Sequence, residues 1–380
     1  MFMNDLFELN ENIYNLSEEL KTQERKIIDL SSNINPLGVS KKIKAELRKH
    51  LKYLHNYPDN EARRLKRFIS KYHNVKSDMI VIGNGLISLL NIIINYINPS
   101  TLIIPAPTIP IYEKLFLFNK HITKTNKIED KTIGYFFLNE KDDFSFDVER
   151  FINYLSDFKD KIYTNKNNNI PFIVILSNPN NPTGRLIKKE DVLKIARILY
   201  LMKGYLIVDE AYMDFCSDES VVGYIDENPN LIVLKSFSCY YALTGLRLGY
   251  GISSSETINN LNNLIIPWSV NNLAQRAGVV ALKDKAYRKE SSALIKEEKE
   301  FYEHSFQKAD IKYYKSDANF YLIKHEKARD IFEHLKKKGI LVRHCSDIKG
   351  LGENYLRVSI KKHRENSIFF KELFVYLKSN

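Results

Sequence analysis

Residues Phe172 to Gly184 read FIVILSNPNNPTG. An unbroken apolar run ends abruptly in a cluster of Ser, Asn, Pro and Gly. Runs of this kind, bounded by turn residues, predict strands buried on both faces. The pattern recurs on either side. Downstream lie YLIVDEA from Tyr205 and NLIVLKSFS from Asn230; upstream lie MIVIGNG from Met79 and TLIIPAP from Thr101. Helical spacing fills the gaps, as in KKEDVLKIARILYLMKG from Lys188. Strand, helix, strand repetition predicts an α/β fold: a mostly parallel sheet covered on both faces. Ligands of such sheets bind where loops leave the carboxyl ends of the strands. The polar residues that close these apolar runs fall at those ends.

After Pro267 the pattern changes. A charged helical stretch over about 280–308 precedes shorter strands in KYYKSDANFYLIKH, ILVRHCS and NYLRVSI. This predicts a smaller α+β domain. The expected division is an N-terminal arm joining the small domain (1–40), a large domain (41–265) and a small C-terminal domain (266–380). The polar YTNKNNN from Tyr163 reads as a loop.

With 380 residues and 44% hydrophobic content, the chain has ample material for two cores. A net charge of +11 raises the question of nucleic acid. The basic clusters KKIKAELRKHLK from Lys41, RRLKR from Arg63 and LKKKG from Leu335 lie on helical stretches, with apolar residues and in places acids among them. A solvated lysine-rich surface explains them, and no nucleic-acid motif accompanies them. No apolar run approaches the roughly 18 residues of a membrane span. The N-terminal stretch is polar and acidic, unlike a secretory signal. Cys216, Cys239 and Cys345 are too scattered for a disulfide framework. The histidines show no metal-ligand spacing, so no metal is expected. The expected compartment is the cytoplasm, with neither membrane nor nucleic acid as partner.

Three segments carry the chemistry: SNPNNPTG (Ser177–Gly184), VDEAY (Val208–Tyr212) and SFSCYYALTGLRLGY (Ser236–Tyr250). Together with DLSSNINPLG (Asp29–Gly38), NYPD (Asn56–Asp59), PWSVNNLAQ (Pro267–Gln275), ILVRHCSDIKGLG and YLRVSI, they resemble the pyridoxal-phosphate-dependent aminotransferase class I/II family. The likeness runs from about Ile28 to the C-terminus. Within the family it points first to threonine-phosphate decarboxylase of cobamide synthesis, through YALTGLRLGY and IPWSVNNLA, and next to histidinol-phosphate aminotransferase.

The resemblance implies the aspartate-aminotransferase-like fold, pyridoxal 5'-phosphate as cofactor, a phosphorylated amino acid or similar small molecule as substrate, and a homodimer. It also assigns roles. Asp209 would pair with the pyridine nitrogen, a charge-assisted contact. Asn181 and Tyr212 would hydrogen-bond the ring oxygen. Ser236, Ser238 and Arg247 would clamp the phosphate, with Gly83, Asn84 and Gly85 offering backbone amides at a helix N-terminus. Tyr57 would reach the phosphate bound by the neighbouring subunit. Asn33, Arg343 and Arg357 would face the substrate, Arg357 gripping a carboxylate in a two-pronged pair.

The sequence departs from the family pattern at several of these points. Cys239 stands where the lysine that covalently carries the cofactor is expected. Ser88 replaces a glutamate, Ile109 an aromatic ring that stacks on the pyridine, and His344 an acid. A thiol adds to aldehydes but cannot take over the amine's role. Pyridoxal phosphate is therefore expected to bind non-covalently. Lys235, just upstream, is the only nearby lysine in the segment, at a position where the family ordinarily has a basic residue. Three functions follow as expectations: a decarboxylase-like protein, an aminotransferase of the histidinol-phosphate type, or a catalytically silent binding protein.

Overall fold

The computed structural model describes residues 12–119, 131–163 and 171–379. The YTNKNNN segment past Tyr163 lies outside them, as do residues 1–11. A short first strand, β1 (Ile28–Asp29), precedes the large sheet. That sheet contains β2 (Ile80–Gly83), β3 (Thr101–Ala106), β4 (Thr132–Phe137), β5 (Phe172–Ser177), β6 (Tyr205–Asp209), β7 (Leu231–Ser236) and β8 (Gly249–Ile252). Its order is β2-β8-β7-β6-β5-β3-β4. Strands β3 to β7 run parallel; β8 is antiparallel to both of its neighbours. The expected mostly parallel sheet is present.

Alternation along these strands feeds two separate cores, because successive side chains point to opposite faces. Ile103, Val174, Leu176, Leu206, Val208 and Val233 enter one. Leu102, Ile104, Ile173, Ile175, Ile207 and Leu234 enter the other. The second core is closed by the helices Leu86–Ile97 and Ile111–Asn119 through Leu89, Ile93, Tyr112 and Phe116. The first is closed by the helices Arg63–His73, Lys189–Leu201 and Asn272–Lys283, among others. Coverage on both faces is why these strands are apolar throughout and do not alternate with polar residues.

The smaller sheet is antiparallel. It contains β9 (Lys312–Tyr314), β10 (Phe320–Lys324), β12 (Arg343–His344) and β13 (Tyr355–Ser359), in the order β12-β13-β10-β9. Strand β11 (Ile340–Leu341) instead pairs in parallel with β1. Tyr302, Phe306, Tyr321, Phe369 and Phe370 build the core of this part, and Leu30 from the N-terminal segment joins it. The helix Asn272–Lys283 lies beyond the expected boundary at 265/266, yet its Ala274, Ala277 and Leu282 pack into the first large-sheet core. The charged stretch expected over about 280–308 is two helices, Asn272–Lys283 and Lys285–Lys308, which meet at Asp284.

This arrangement aligns the strand ends that matter. Ser177 and Asp209 are register partners across β5 and β6. The turns after β2, β3, β5, β6 and β7 therefore leave one edge of the sheet together. The N-terminal segment 31–35 and strand β13 close over that edge.

Candidate active site

Asp209 ends β6, buried at 5% exposure. Its Oδ2 accepts from the Tyr112 hydroxyl at 2.7 Å, and its Oδ1 accepts from the Ala211 amide at 2.9 Å. Burial pushes its carboxyl above the ordinary carboxylate range, against these two hydrogen bonds. A cation placed beside it would stabilise the ionised form. Tyr112 was not foreseen. It lies near the start of the helix Ile111–Asn119, just past Ile109, and helical spacing alone marks it as an ordinary core aromatic.

Tyr212, at the turn after β6, is the hub of a buried network. Its hydroxyl accepts from Asn33 Nδ2 at 2.9 Å and from Asn181 Nδ2 at 3.4 Å, and hydrogen-bonds the Cys239 thiol. Arg357 Nη1 donates to Asn181 Oδ1 at 2.6 Å, and Nη2 donates to the Ser31 carbonyl. Ser359 Oγ donates to Asn33 Oδ1 at 2.7 Å. The Arg357 Nε is buried and has no partner. Asn33, Asn181, Tyr212, Cys239 and Arg357 are thus brought together, as the sequence led us to expect. Ser359, which orients Asn33, was missed.

Cys239 occupies the turn after β7, with its carbonyl held by the Asn35 amide at 2.9 Å. Burial, and the nearby Asp209, push its thiol up to about 11, although Tyr212 and Arg357 oppose this. The Tyr212 phenol is raised too, chiefly by burial. Both groups are protonated at neutral pH. Lys235 cannot substitute for the missing amine. It is 2% exposed and donates to Glu210 Oε2 at 3.0 Å, with Asp214 at 3.9 Å. Burial lowers its affinity for a proton, but Glu210 and Asp214 more than reverse this, so it stays charged.

The phosphate-clamp residues sit at the same edge. Gly85 has φ +84°, and a β-carbon there would lie 2.7 Å from Arg247 Nη2. Glycine is therefore what lets the guanidinium close on the Gly83–Asn84–Gly85 turn. The helix that follows starts at Leu86 with no side-chain cap, so its first amides are available to an anion. Ser236 Oγ accepts from the Ser238 amide at 3.1 Å. Asn84 and Arg247 are exposed. A glycine cradle, an uncommitted helix N-terminus, two hydroxyls and a guanidinium fit a phosphate. The buried carboxylate of Asp209 fits a protonated ring nitrogen.

Tyr57 and Arg343, expected at the site, and the departures His344, Ile109 and Ser88 are placed as follows. Tyr57 is 80% exposed, its ring 5.1 Å from that of Trp268, and it makes no contact with the site of its own chain. Arg343 is the register partner of Arg357, but its Nη2 is bound to Asp347 at 2.6 and 2.7 Å. His344 is buried in the smaller domain against Ser346 and the Glu353 carbonyl. Ile109 packs at the margin of the second large-sheet core. Ser88 is partly buried on the helix Leu86–Ile97. Among the described residues no cluster of His, Cys, Asp and Glu could hold a metal, and no helix is long and apolar enough to cross a membrane.

Fold and site together define a pyridoxal-phosphate-type cradle in an aminotransferase-like architecture. The chain belongs to the family described as aminotransferase class I and II, whose pattern matches residues 25–371. It is 31% identical over 348 residues to the histidinol-phosphate aminotransferase of Caldanaerobacter subterraneus subsp. tengcongensis, covering 90% of this chain and 91% of that one. The histidinol-phosphate aminotransferase structure from Clostridium acetobutylicum superposes with a TM-score of 0.80 at 28% identity, over 93% of this chain and 100% of that one. The Sinorhizobium meliloti counterpart, in complex with pyridoxal-5'-phosphate, has a TM-score of 0.83 at 20% identity and covers 100% and 98%. L-threonine-O-3-phosphate decarboxylase from Porphyromonas gingivalis has a TM-score of 0.75 at 22% identity and covers 93% and 100%, a likeness of fold. The resemblance to the family therefore holds. The expected order of its two enzymes is reversed: these relatives favour the aminotransferase over the decarboxylase.

Proposed function

We propose that this chain binds pyridoxal phosphate without a covalent bond, and holds against it a phosphorylated amino compound of the histidinol-phosphate type. The observation that carries this reading is the continuous network Asn33–Tyr212–Asn181–Arg357 beside Asp209, with a thiol in place of the amine. Asp209 would hold the ring nitrogen protonated, Tyr212 and Asn181 the ring oxygen, and Arg247 with Ser236 and Ser238 the phosphate. Arg357 would fix the anionic end of the substrate. When bound, the cofactor supplies an electron sink for bonds at the amine-bearing carbon.

The chain's own residues set the limit on turnover. Moving a proton at that carbon needs a group that changes charge near neutral pH. Cys239 and Tyr212 are both held neutral. Lys235 is locked in its ion pair. The site therefore binds and orients, and turns over slowly.

We further propose a homodimer in the cytoplasm. Tyr57 and Trp268 project from the surface with Leu54, Leu264 and Ile266, each at least 48% exposed. Pairing of two copies through this face would bury them and bring each Tyr57 toward the other chain's cofactor. The test is titration of the purified chain with pyridoxal phosphate, followed by L-histidinol phosphate and O-phospho-L-threonine. One cofactor should bind per chain, and L-histidinol phosphate should bind the tighter of the two. Release of carbon dioxide from O-phospho-L-threonine, or no saturable cofactor binding, would overturn the reading.

A further inference from the structure

One partly buried cation, Lys361, is not used by the roles above. Lys361 follows β13 on the face that carries Arg357 and Ser359, since alternate residues of an extended chain share a side. Its Nζ donates to the Ser32 carbonyl at 3.0 Å. Arg357 Nη2 donates to the neighbouring Ser31 carbonyl. The two cations therefore converge on consecutive peptide groups of one loop. The same loop is joined to the site wall three residues further on, where the Asn35 amide meets the Cys239 carbonyl.

The electrostatics of this corner are unbalanced. Among the described residues, no carboxylate lies within ion-pair distance of Lys361 or Arg357. Burial disfavours the charge on Lys361; Asp29, Glu365 and Cys239 act on it in the opposite sense, and Arg357 repels it. Arg357 also retains its buried, unpartnered Nε. Arg357 is buried and Lys361 partly so; neighbouring like charges with no carboxylate in direct contact are costly, and the cost falls when an anion enters between them. A carboxylate carries one negative charge and Arg357 already matches it. A phosphate monoester carries close to two at neutral pH and three acceptor oxygens.

We propose that Lys361 is a specificity-determining residue, the second cation of a seat shared with Arg357, and that this seat selects a substrate bearing a phosphate monoester over one bearing a carboxylate. This deepens the function proposed above and rests on its placement of the substrate. It assigns the anionic end of the substrate to the corner formed by Ser31, Ser32, Arg357 and Lys361. The cofactor phosphate keeps its own site at Arg247, across the cradle.

The test compares L-histidinol phosphate with L-histidine, which bears a carboxylate in place of the phosphate ester arm, by calorimetric titration of the full chain, with pyridoxal phosphate present at saturation. In the unaltered chain the phosphate should improve affinity by at least about 100-fold, a typical yield of two charge-assisted contacts. Lys361→Met should reduce that ratio at least about tenfold while pyridoxal phosphate affinity stays unchanged. Lys361→Arg, which keeps the charge, should keep most of the ratio. An unchanged ratio in Lys361→Met would overturn the proposal, as would equal losses in Met and Arg variants, because a structural role would be indifferent to charge. If the chain takes up no pyridoxal phosphate, the function proposed above fails, and the titration without cofactor still decides this point. Phosphate-dependent binding lost in Lys361→Met would then support the seat; its persistence, or the absence of any phosphate preference, would refute it.

Discussion

Replacing Cys239 with lysine tests whether the thiol is the principal defect of an otherwise intact cradle. The backbone at this position is fixed by the Asn35 amide at 2.9 Å and flanked by buried Phe237 and Tyr240. A longer side chain there would extend past the Tyr212 hydroxyl, toward the edge where Asp209 sits. Asp209, Tyr212, Asn181 and Arg357 need not move. A single positioned acid–base group contributes roughly two to four powers of ten in rate. Cys239→Lys should therefore raise amino transfer from L-histidinol phosphate at least about 100-fold. The same variant should carry pyridoxal phosphate covalently, seen as a new near-visible band and, after borohydride reduction, as a pyridoxyl group on residue 239. Covalent attachment without a gain in rate would place the defect elsewhere, at Ile109 or Ser88, and refute the claim that Cys239 limits turnover. Absence of attachment would mean that Asp209 and its neighbours do not cradle the cofactor at all.

Three further outcomes are expected. Asp209→Ala should weaken pyridoxal phosphate binding by roughly ten- to 100-fold, the worth of one charge-assisted hydrogen bond of about 1.5–3 kcal/mol; a change below threefold in a fluorescence titration would exclude it as the ring-nitrogen partner. Lys235→Met leaves Glu210 and Asp214 buried without their cation and should cost about 3–5 kcal/mol in urea unfolding; a loss under about 1 kcal/mol would show that the triad is not a structural lock. Tyr57→Ala with Trp268→Ala should shift sedimentation toward the 44.4 kDa monomer and weaken cofactor binding; an unaltered chain that is already monomeric at micromolar concentration would contradict the shared-site dimer.

Much of the fold was legible because the strands are apolar on both faces. FIVILS and TLIIPA offer almost no polar residue to solvent, so only a sheet covered on both sides accommodates them. The edge where the site lies followed from the same reading, since SNPNNPTG and DEAY could only leave the carboxyl ends of neighbouring strands. Ser177 and Asp209 are indeed register partners. Less legible were groups whose role depends on a partner distant in sequence. Tyr112 is one more aromatic in an apolar helix until its hydroxyl is seen 2.7 Å from Asp209. Lys361 sits in the run KKHRE, which by composition is a solvated surface. It is partly buried, and its amine is held by the Ser32 carbonyl on a loop far earlier in the chain. Arg343 looked equivalent to Arg357, because pattern could not reveal the Asp347 carboxylate that engages it. Lys235 and Cys239 lie close in sequence, yet Lys235 belongs to β7 and is buried against Glu210, whereas Cys239 lies in the turn beyond the strand's end.

Borohydride reduction of the unaltered chain saturated with pyridoxal phosphate, followed by peptide mass spectrometry and cofactor stoichiometry, tests non-covalent binding most directly. One cofactor per chain should be present before reduction, lost on denaturation, with no stoichiometric pyridoxyl group on any lysine. A full equivalent of pyridoxyl on Lys235 or Lys361 would contradict non-covalent binding, because the cofactor would then be carried by an amine that the site geometry leaves unattached.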